Sequence, residues 1–188
     1  PNYYGPQRFG MRGDTWEIGR AALLGEYDRA IQVLLGSPDQ RDEGAVLLAR
    51  RLFEEGRYAE AAETWPPSFH AERQALRVLA GGRAAPRRAF LAIRKSFLRF
   101  YFSAFQSYLF NKVVADRAGH LDEMRRGDLA WLHGKGAVFL VDDPAAEKPR
   151  CDAFEISPSG PLFGFKMTQP QGHPGQIEAK ILDEHGIT

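Results

Sequence analysis

The longest apolar periodic run of this 188-residue chain, residues 96–119, constrains its fold more than any other segment. Aromatic and aliphatic side chains recur there at intervals of three and four, which is the spacing of a helix face. The positions at this spacing are Phe97, Phe100, Tyr101, Ala104, Phe105, Tyr108, Leu109, Lys112 and Val113. Because the aromatic side chains cover more than one face, the run predicts a central, largely buried helix that ends at Gly119.

Shorter helical patterns precede this run, and glycine or proline punctuates them. The predicted helices are WEIGRAALLG (capped by Asp14 or Thr15), EYDRAIQVLLG, residues 42–55 with Gly56 as C-cap, RYAEAAETW, HAERQALRVLAGG and APRRAFLAI. Two stretches, ALLGEYDRAIQVLL and LARRLFEEGRYAEAAETW, resemble imperfect copies of a tetratricopeptide-type helix pair. Since no fixed period relates them, the pattern favours a short helical subdomain over a solenoid.

After about Leu121, strand patterns replace helical ones. DLAWLHGKGAVFLVDD predicts a β-hairpin with its turn at 133–136. Residues 144–149 predict a charged loop, AFEISPSGPLFGFKM predicts two short strands around 157–161, and PGQIEAKILDEHG predicts a terminal helix. We therefore expect an α+β fold, with a mainly helical body, a small antiparallel β-rich module and a C-terminal helix. The expected parts are a motif loop (1–15), a helical subdomain (16–119), a β-rich module (120–173) and the terminal helix (174–188).

The opening segment PNYYGPQRFG combines aromatic, amide and arginine side chains within ten residues. Glycines at both bends and a proline between them let the backbone turn tightly. The aromatic rings offer faces on which bases stack, and Gln7 and Arg8 suit phosphates and base edges. This composition is typical of a loop that contacts RNA, and the alternative is a structural turn with aromatic anchors.

Three segments resemble, in order, the motifs of the TruD-type pseudouridine synthases. PNYYGPQRFG resembles the family signature N-Y-F-G-x-Q-R-F-G, QSYLFN at 106–111 resembles Q/R-S-x-L-F-N, and ISPSGPLFG at 156–164 resembles I-x-P-x-G-P-L-x-G. Their order and spacing agree with the insertion domain of that family over nearly the whole chain. Tyr4 departs from the pattern because the family more often has Phe there, and the long helical stretch after the first motif matches no family motif.

The resemblance implies that the parent protein converts a tRNA uridine (position 13 in bacterial members) to pseudouridine without a cofactor. Family members use an aspartate in a G-x-K-D-like segment before the first motif, and no such segment occurs in this chain. The resemblance thus implies an inserted domain that lacks the catalytic aspartate, forms one wall of an RNA-binding cleft and is inactive alone. Its expected partners are tRNA and the missing catalytic domain of the same polypeptide. Because the first motif lies at Pro1, we expect the chain to be an excerpt from a longer protein.

Basic residues cluster in the segment RAAPRRAFLAIRKSFLR, separated only by apolar residues and one serine. On one continuous helix, Arg87 and Arg94, with Arg83, lie near one face, while the remaining cations fill the adjacent face. Such a patch predicts salt-sensitive phosphate binding, and the alternative is a solvated face whose side-chain stems cover apolar surface. The predicted RNA-binding residues are Asn2, Tyr4, Gln7, Arg8, Arg12, Arg87, Arg88, Arg94, Lys95 and Arg99.

Gln106 and Asn111 are polar residues on an otherwise apolar helix, so they must find hydrogen-bond partners. They either hold the opening loop in shape or reach the substrate, and the structural role is favoured. We predict that Phe9, Gln106 and Asn111 support the motif loop.

Other chemistry has little support in the sequence. The five histidines lack zinc-ligand spacing, and the single cysteine, Cys151, excludes an internal disulfide, which fits a reducing cytoplasm. No apolar stretch approaches the ~20 residues of a membrane helix. A hydrolase using Ser157 or Ser159 is disfavoured because no histidine and acid accompany them recognisably. The second function hypothesis is a helical protein-interaction module that does not bind RNA; no metal is expected.

Overall fold

The computed structural model describes residues 3–82 and 85–187, and the chain forms two compact units. The helical unit is Gly5–Phe105, and the sheet unit combines Pro1–Tyr4 with Gln106–Thr188. The expected α+β class is confirmed, since helices form the first unit and the second contains a small antiparallel sheet. The two units divide inside the long helix, whereas the composition of the chain changes only near residue 120.

The helices of the helical unit follow the predicted order. They are α1 (Thr15–Leu23), α2 (Tyr27–Leu35), α3 (Gly44–Glu54), α4 (Tyr58–Thr64), α5 (His70–Ala80), α6 (Pro86–Ala92) and the first part of α7 (Lys95–Asp116). α1 packs on α2, and α3, α4 and α5 each pack on the next helix along the chain. α2 also packs on α6. Short connections explain this arrangement because they place consecutive helices side by side.

The core of the helical unit combines small alanines with large apolar side chains. Leu35, Trp65, Leu76 and Phe90 are all less than 2% exposed. Burial of each large side chain contributes roughly 1.5–3 kcal/mol. Buried alanines such as Ala61 allow the short helices between them to pack closely. The periodic apolar residues of the sequence therefore form the core as predicted.

The start of α1 is fixed against α7 by a close helix crossing. A Cβ atom at Gly19 would collide with the main-chain carbonyl oxygen of Tyr101, so the crossing requires glycine. Trp16 stacks on Phe105 with a centroid distance of 6.4 Å and an interplanar angle of 20°. These contacts hold the end of the opening loop in place, because α1 begins directly after it.

The sheet unit contains the predicted β-hairpin. β1 (Leu129–Leu132) and β2 (Ala137–Leu140) pair antiparallel, and β3 (Ile156–Pro158) pairs antiparallel with the other edge of β1. The strand order is β2-β1-β3. The chain ends with the predicted helix, α9 (Gly172–Glu184). The small apolar core consists of Ala130, Val141 and Ile156.

Residues 144–149 form part of a helix, so the predicted charged loop is wrong. α8 (Pro144–Asp152) begins after Asp143, whose carboxylate accepts hydrogen bonds from the main-chain amides of Ala145 (3.0 Å) and Ala146 (3.3 Å). Pro144 fits the first turn because its missing N–H would have no partner there. Pro149 inside the helix and the polar composition hid this helix from periodicity.

The second strand predicted around 157–161 does not form. Pairing ends at Ser159, whose main-chain amide and hydroxyl both donate to the carbonyl of Leu129 at 2.9 and 2.8 Å. Pro161 follows, and proline cannot donate to a strand ladder. The segment after β3 is therefore an irregular loop, although it carries the third sequence motif.

The basic segment is two helices and not one. α6 ends before Ile93, whose φ of −61° and ψ of 141° are extended, and α7 begins at Lys95. The faces expected for one continuous helix therefore do not apply. Arg87 and Arg88 lie on α6, Lys95 and Arg99 lie on α7, and Arg83 is outside the described residues.

Candidate nucleic-acid interface

The opening loop is a compact, accessible turn. A 3-10 turn at Pro6–Arg8 is closed by hydrogen bonds from the amide of Arg8 to Gly5 (3.0 Å) and from that of Phe9 to Pro6 (2.9 Å). Gly10 then has a φ of 75°, which favours glycine. None of residues 3–10 is buried, and Gln7 is exposed while Arg8 and Phe9 are half-buried. Asn2, a predicted RNA contact, lies outside the described residues.

Arg12 anchors the opening loop to the connection between α2 and α3. Its guanidinium forms ion pairs with Asp14 (2.9 Å) and Asp42 (3.4 Å) and donates to the carbonyl of Gly36 (3.4 Å). The side chain of Arg41 returns to the carbonyl of Arg12. Because its side chain is only 12% exposed and engaged with carboxylates, Arg12 holds the loop and is poorly placed to meet RNA.

A buried ion pair continues this anchor into the core. Arg50 lies 3.1 Å from Asp42 and donates to the carbonyl of Gly36 at 2.6 Å, while its guanidinium covers the ring of Trp65 at 5.3 Å. Burial lowers the pKa of Arg50 below its usual value, with the charge of Arg12 acting in the same direction. The sequence patterns do not reveal this pair. Its only signal was an arginine inside the apolar run AVLLARRLF.

The loop and the start of α7 line one groove of about 880 Å³ within the helical unit. Gly10 and Met11 lie on one side, and Ser96, Phe97 and Phe100 line it from α7. Met11 is 84% exposed, so the groove opens to solvent. The groove is also lined by the ion-paired residues Arg12, Asp14, Asp42 and Arg50. Its rim is therefore the part that is accessible to a ligand.

A cluster of exposed cations lies on α6, on α7 and in the connection between them, and α7 also supplies residues that line this groove. Hereafter the cation cluster means Arg87, Arg88, Arg94, Lys95 and Arg99, all exposed. Lys95 and Arg99 are one helical turn apart and share a face of α7, next to the groove-lining face of Ser96 and Phe100. Among the described residues, no member of the cluster forms an ion pair with a carboxylate. Arg87 contacts the ring of Tyr27 at 5.9 Å, which covers part of its stem.

The sequence explains why these cations are unpaired. Residues 73–115 contain nine lysines and arginines but no aspartate or glutamate. Other arginines of the chain, such as Arg57 between Glu55 and Glu60, have acidic neighbours and pair with them. The absence of acids over this stretch is a stronger signal of a polyanion contact than the spacing of the cations.

Parts of all three sequence motifs meet in the sheet unit, to which the first motif contributes Tyr4. The amide of Asn111 accepts from the main-chain N–H of Tyr4 (2.9 Å) and donates to its carbonyl (3.0 Å). The ring of Tyr4 packs edge-on against Phe110 at 5.4 Å, and Gly160 of the third motif lies against the same ring. Asn111 therefore holds Tyr4 through a short two-sided pairing.

Gln106 holds a different segment from the one expected. Its amide donates to the carbonyl of Phe163 at 2.6 Å, so it fixes the irregular loop of the third motif. Without this bond the carbonyl would need water as a partner. Phe9 belongs to the helical unit, where its carbonyl accepts from the amide of Thr15 at 3.2 Å and ties the loop to the start of α1.

Other kinds of site have no geometry to support them in the described residues. No group of three or more His, Cys, Asp or Glu side chains there is placed to bind a metal ion. No described helix combines the length and apolar character that crossing a bilayer requires. Burial raises the pKa of the Cys151 thiol, which disfavours a reactive thiolate.

Known proteins share both the sequence and the fold. The family model "tRNA pseudouridine synthase D (TruD)" matches residues 1–188. The chain is 40% identical over 188 residues to the tRNA pseudouridine synthase D of Geotalea daltonii, and 40% identical over 187 residues to that of Geobacter metallireducens. These alignments cover 100% of this chain but 47% and 46% of the relatives, so the chain spans about half their length. The crystal structure of the "Putative tRNA pseudouridine synthase D (TruD)" from Methanosarcina mazei matches with a TM-score of 0.85 at 24% identity, covering 100% of this chain and 46% of that one.

Proposed function

Because this chain belongs to the tRNA pseudouridine synthase D (TruD) family, we propose that it is the RNA-holding part of an enzyme that converts a tRNA uridine to pseudouridine. In that reaction the N1–C1′ bond of the uridine breaks and a C5–C1′ bond forms. The base loses the proton on C5 and gains one on N1, so atoms balance without a cofactor. The contribution of this chain is to bind and orient the RNA, which lowers the cost of presenting the base.

The unpaired cation cluster carries this proposal. Cations without carboxylate partners repel each other, and a phosphate backbone that neutralises them releases condensed counterions. Lys95 and Arg99 of the cluster lie beside the α7 residues that line the groove, and Gly10 and Met11 of the opening loop line the same groove, so a strand of RNA that follows these cations meets that loop. A polar, accessible rim with apolar rings beneath suits single-stranded or looped RNA.

The opening loop supplies the remaining proposed contacts. Gln7 is exposed and offers both donors and an acceptor to a base edge, and Arg8 is half-buried beside it. Tyr4 presents a half-buried ring whose backbone is already fixed by Asn111. We leave Arg12 out of the proposed contact set because its guanidinium is engaged with Asp14 and Asp42.

Chemistry is assigned to another segment of the polypeptide. No G-x-K-D-like segment occurs in this sequence, and Asp14 and Asp42 of the groove are ion-paired with Arg12 and Arg50, respectively. We therefore expect this chain alone to release no tritium from tRNA labelled at uridine C5. Turnover by this chain alone would refute the placement of the catalytic aspartate.

Binding to tRNA tests the role of the cluster. Fluorescence anisotropy between low and moderate salt gives the slope of log K against log salt, and each phosphate contact contributes about 0.7–0.9 to it. The triple variant R94Q/K95Q/R99Q should therefore reduce the slope by about 2–3 and weaken binding at low salt. Its circular dichroism should be unchanged because all three side chains are exposed.

A matched variant separates this effect from net charge. R29Q/R57Q/K148Q removes the same number of charges from exposed cations that already pair with carboxylates. The slope should change by less than half as much in this variant. Equal slopes in the two variants would show that only overall charge matters and would overturn the proposed interface.

The alternative function is a helical protein-interaction module. The consecutive packing of α3, α4 and α5 is what such modules use, and Leu23 and Leu48 expose more than half of their surface. Absence of tRNA binding at low salt would favour this alternative over the RNA-holding role.

A further inference from the structure

The sheet unit contains a second cavity, separate from the groove, of about 240 Å³. It is formed by β1, β2, the loop after β3 and α9, and most of its surface is apolar. Its volume is below the ~300–1,000 Å³ of drug-sized sites, so it suits one planar ring system. A helix or a peptide strand would not fit inside it.

One wall of the cavity is an aromatic plane. Trp131 lies on β1 opposite Val138 of β2, and its side chain is 39% exposed even though it is large and apolar. Leu162, from the loop after β3, also lines the cavity and is 56% exposed. An accessible indole beside aliphatic groups is a surface on which heterocycles stack.

A carboxyl group lies among these apolar groups. Glu178 of α9 lines the cavity and has no hydrogen-bond or ion-pair partner among the described residues. Its acidic neighbour Asp128 is already satisfied by Arg117 and by the amide of Arg125 (2.7 Å). Burial, and secondarily the charge of Asp128, raise the pKa of Glu178 to about 7. An unpartnered carboxyl group in an apolar cavity marks a candidate ligand site.

A cation lies at the same cavity. Arg125 lines it, and its guanidinium has no carboxylate partner in the described part of the chain. Arg117, which also lines the cavity, is ion-paired with Asp128. The cavity therefore offers three groups that suit a nucleotide. Arg125 can contact its phosphate, Glu178 the polar edge of its base, and Trp131 the face of its base.

We propose that this cavity binds an unpaired nucleobase that carries an exocyclic amino group, stacked on Trp131 with its amino group donating to Glu178. Carboxylates accept from base amino groups, as in their recognition of cytosine N4, whereas uracil has no amino group to donate. The base is thus not the uridine that is modified but another nucleotide of the same RNA. This inference rests on the proposed function, because that function identifies RNA as the source of the base.

The three methionines of the chain make the test specific. Met167 lines the cavity, whereas Met124 packs on the small apolar core and Met11 lines the groove of the helical unit. In the 188-residue chain labelled with ¹³C at methionine methyls, CMP, AMP and GMP should shift the Met167 signal and leave Met124 unchanged. UMP should bind at least about fivefold more weakly.

Variants assign the two contacts. Glu178→Gln should weaken CMP by about tenfold and leave UMP unchanged, because only the amino group uses the carboxylate. Trp131→Leu should weaken all four nucleotides. Glu184→Gln is the matched control, since Glu184 lies on the same helix with its side chain 55% exposed. A Met167 signal that does not respond, or UMP bound as tightly as CMP, overturns the proposal.

The result is distinguishable from a failure of the proposed function. If tRNA binds with a slope that depends on the cation cluster while Met167 ignores nucleotides, only the cavity proposal fails. If nucleotides shift Met167 in the predicted order and tRNA does not bind, the cavity proposal stands as a nucleotide site and the RNA-holding function fails.

Discussion

Replacing Glu178 with glutamine should make the protein more stable at alkaline pH. A glutamate loses its proton near pH 4.5 in the unfolded chain but near pH 7 in the folded one. Between these values the folded state binds more protons, so the free energy of unfolding falls as pH rises from about 4.5 through 7 and then levels off. Glutamine resembles the protonated carboxyl group but does not ionise, so the variant does not lose this stability as pH rises.

The structure sets the size of this effect. A rise of the pKa from 4.5 to about 7 corresponds to an upper bound of about 3 kcal/mol, at 1.36 kcal/mol per pKa unit. Because the carboxyl group is still partly accessible to solvent, screening reduces the expected gain to about 1–2 kcal/mol. The charge of Asp128 also opposes ionisation, so it raises the pKa in the same direction as burial. Arg117 and Arg125 line the same cavity.

Urea unfolding of Glu178→Gln and of the unsubstituted chain, followed by circular dichroism, measures the gain. The variant should be more stable by about 1–2 kcal/mol at pH 8, and the difference should nearly vanish at pH 4. The Glu184→Gln control should show no comparable gain because that side chain is exposed. An equal difference at both pH values, or a less stable variant at pH 8, would refute the reasoning.

Three further substitutions test the contacts that shape the site. Gly19→Ala should lower the free energy of unfolding by about 2–3 kcal/mol, since its Cβ would meet the carbonyl of Tyr101; an unchanged urea midpoint would contradict the close crossing. Asn111→Ala should cost about 1–3 kcal/mol by leaving both main-chain groups of Tyr4 unpaired, and Asn111→Asp should recover part of the loss, because it can still accept from the amide; equal losses would argue against those bonds. Arg12→Gln should cost about 2–4 kcal/mol and leave the tRNA salt slope unchanged, whereas a slope reduced by about 1 would mean that Arg12 contacts phosphate.

The helices of the helical unit could be predicted well because local sequence signals set where they end. Glycines at 25, 56 and 82 have positive φ values of 77°, 73° and 78° after α1, α3 and α5. These residues stop a helix through their own backbone, without reference to tertiary structure. Apolar periodicity between such signals is therefore sufficient to identify the helices and the side chains that form their core.

The missed elements depend on contacts that periodicity does not report. α8 is stabilised at its start by Asp143 and carries no apolar face, so its composition is that of a loop. The second strand after Pro158 is absent because Ser159 ends the pairing with Leu129 and Gln106 holds the following loop. In both cases side-chain hydrogen bonds help to set the backbone conformation.

Sequence patterns were limited in the same way at the candidate site, because they do not report which charged residues form ion pairs in the folded chain. Arg12 and Arg99 are both arginines near apolar segments, and the sequence patterns predict an RNA contact for both. Arg12 meets Asp42, which is 30 residues away, while no acid lies within 16 residues of Arg99. Pairing with distant carboxylates is a tertiary property, whereas a long stretch without acids is visible in the sequence.

Glu178 could not have been identified from its pattern on α9. A single glutamate in a polar helix is normally exposed, and the neighbours Glu184 and Lys180 have that role. Only the fold brings Glu178 next to Trp131 and Asp128 on one cavity. Its raised pKa follows from that burial and, secondarily, from the charge of Asp128.

The hydrogen bonds of the motif residues have a consequence for how the RNA is held. Asn111 and Gln106 direct their amides at main-chain groups of Tyr4 and Phe163, so these polar groups are not available to a ligand. Apart from Tyr4, Gln7 and Arg8 of the opening loop, the proposed RNA contacts lie outside the motifs, in the cation cluster. Substitutions of Asn111 and Gln106 should therefore lower stability and RNA affinity together, whereas substitutions in the cluster should lower affinity alone. That difference follows from which partners each side chain has in the folded chain.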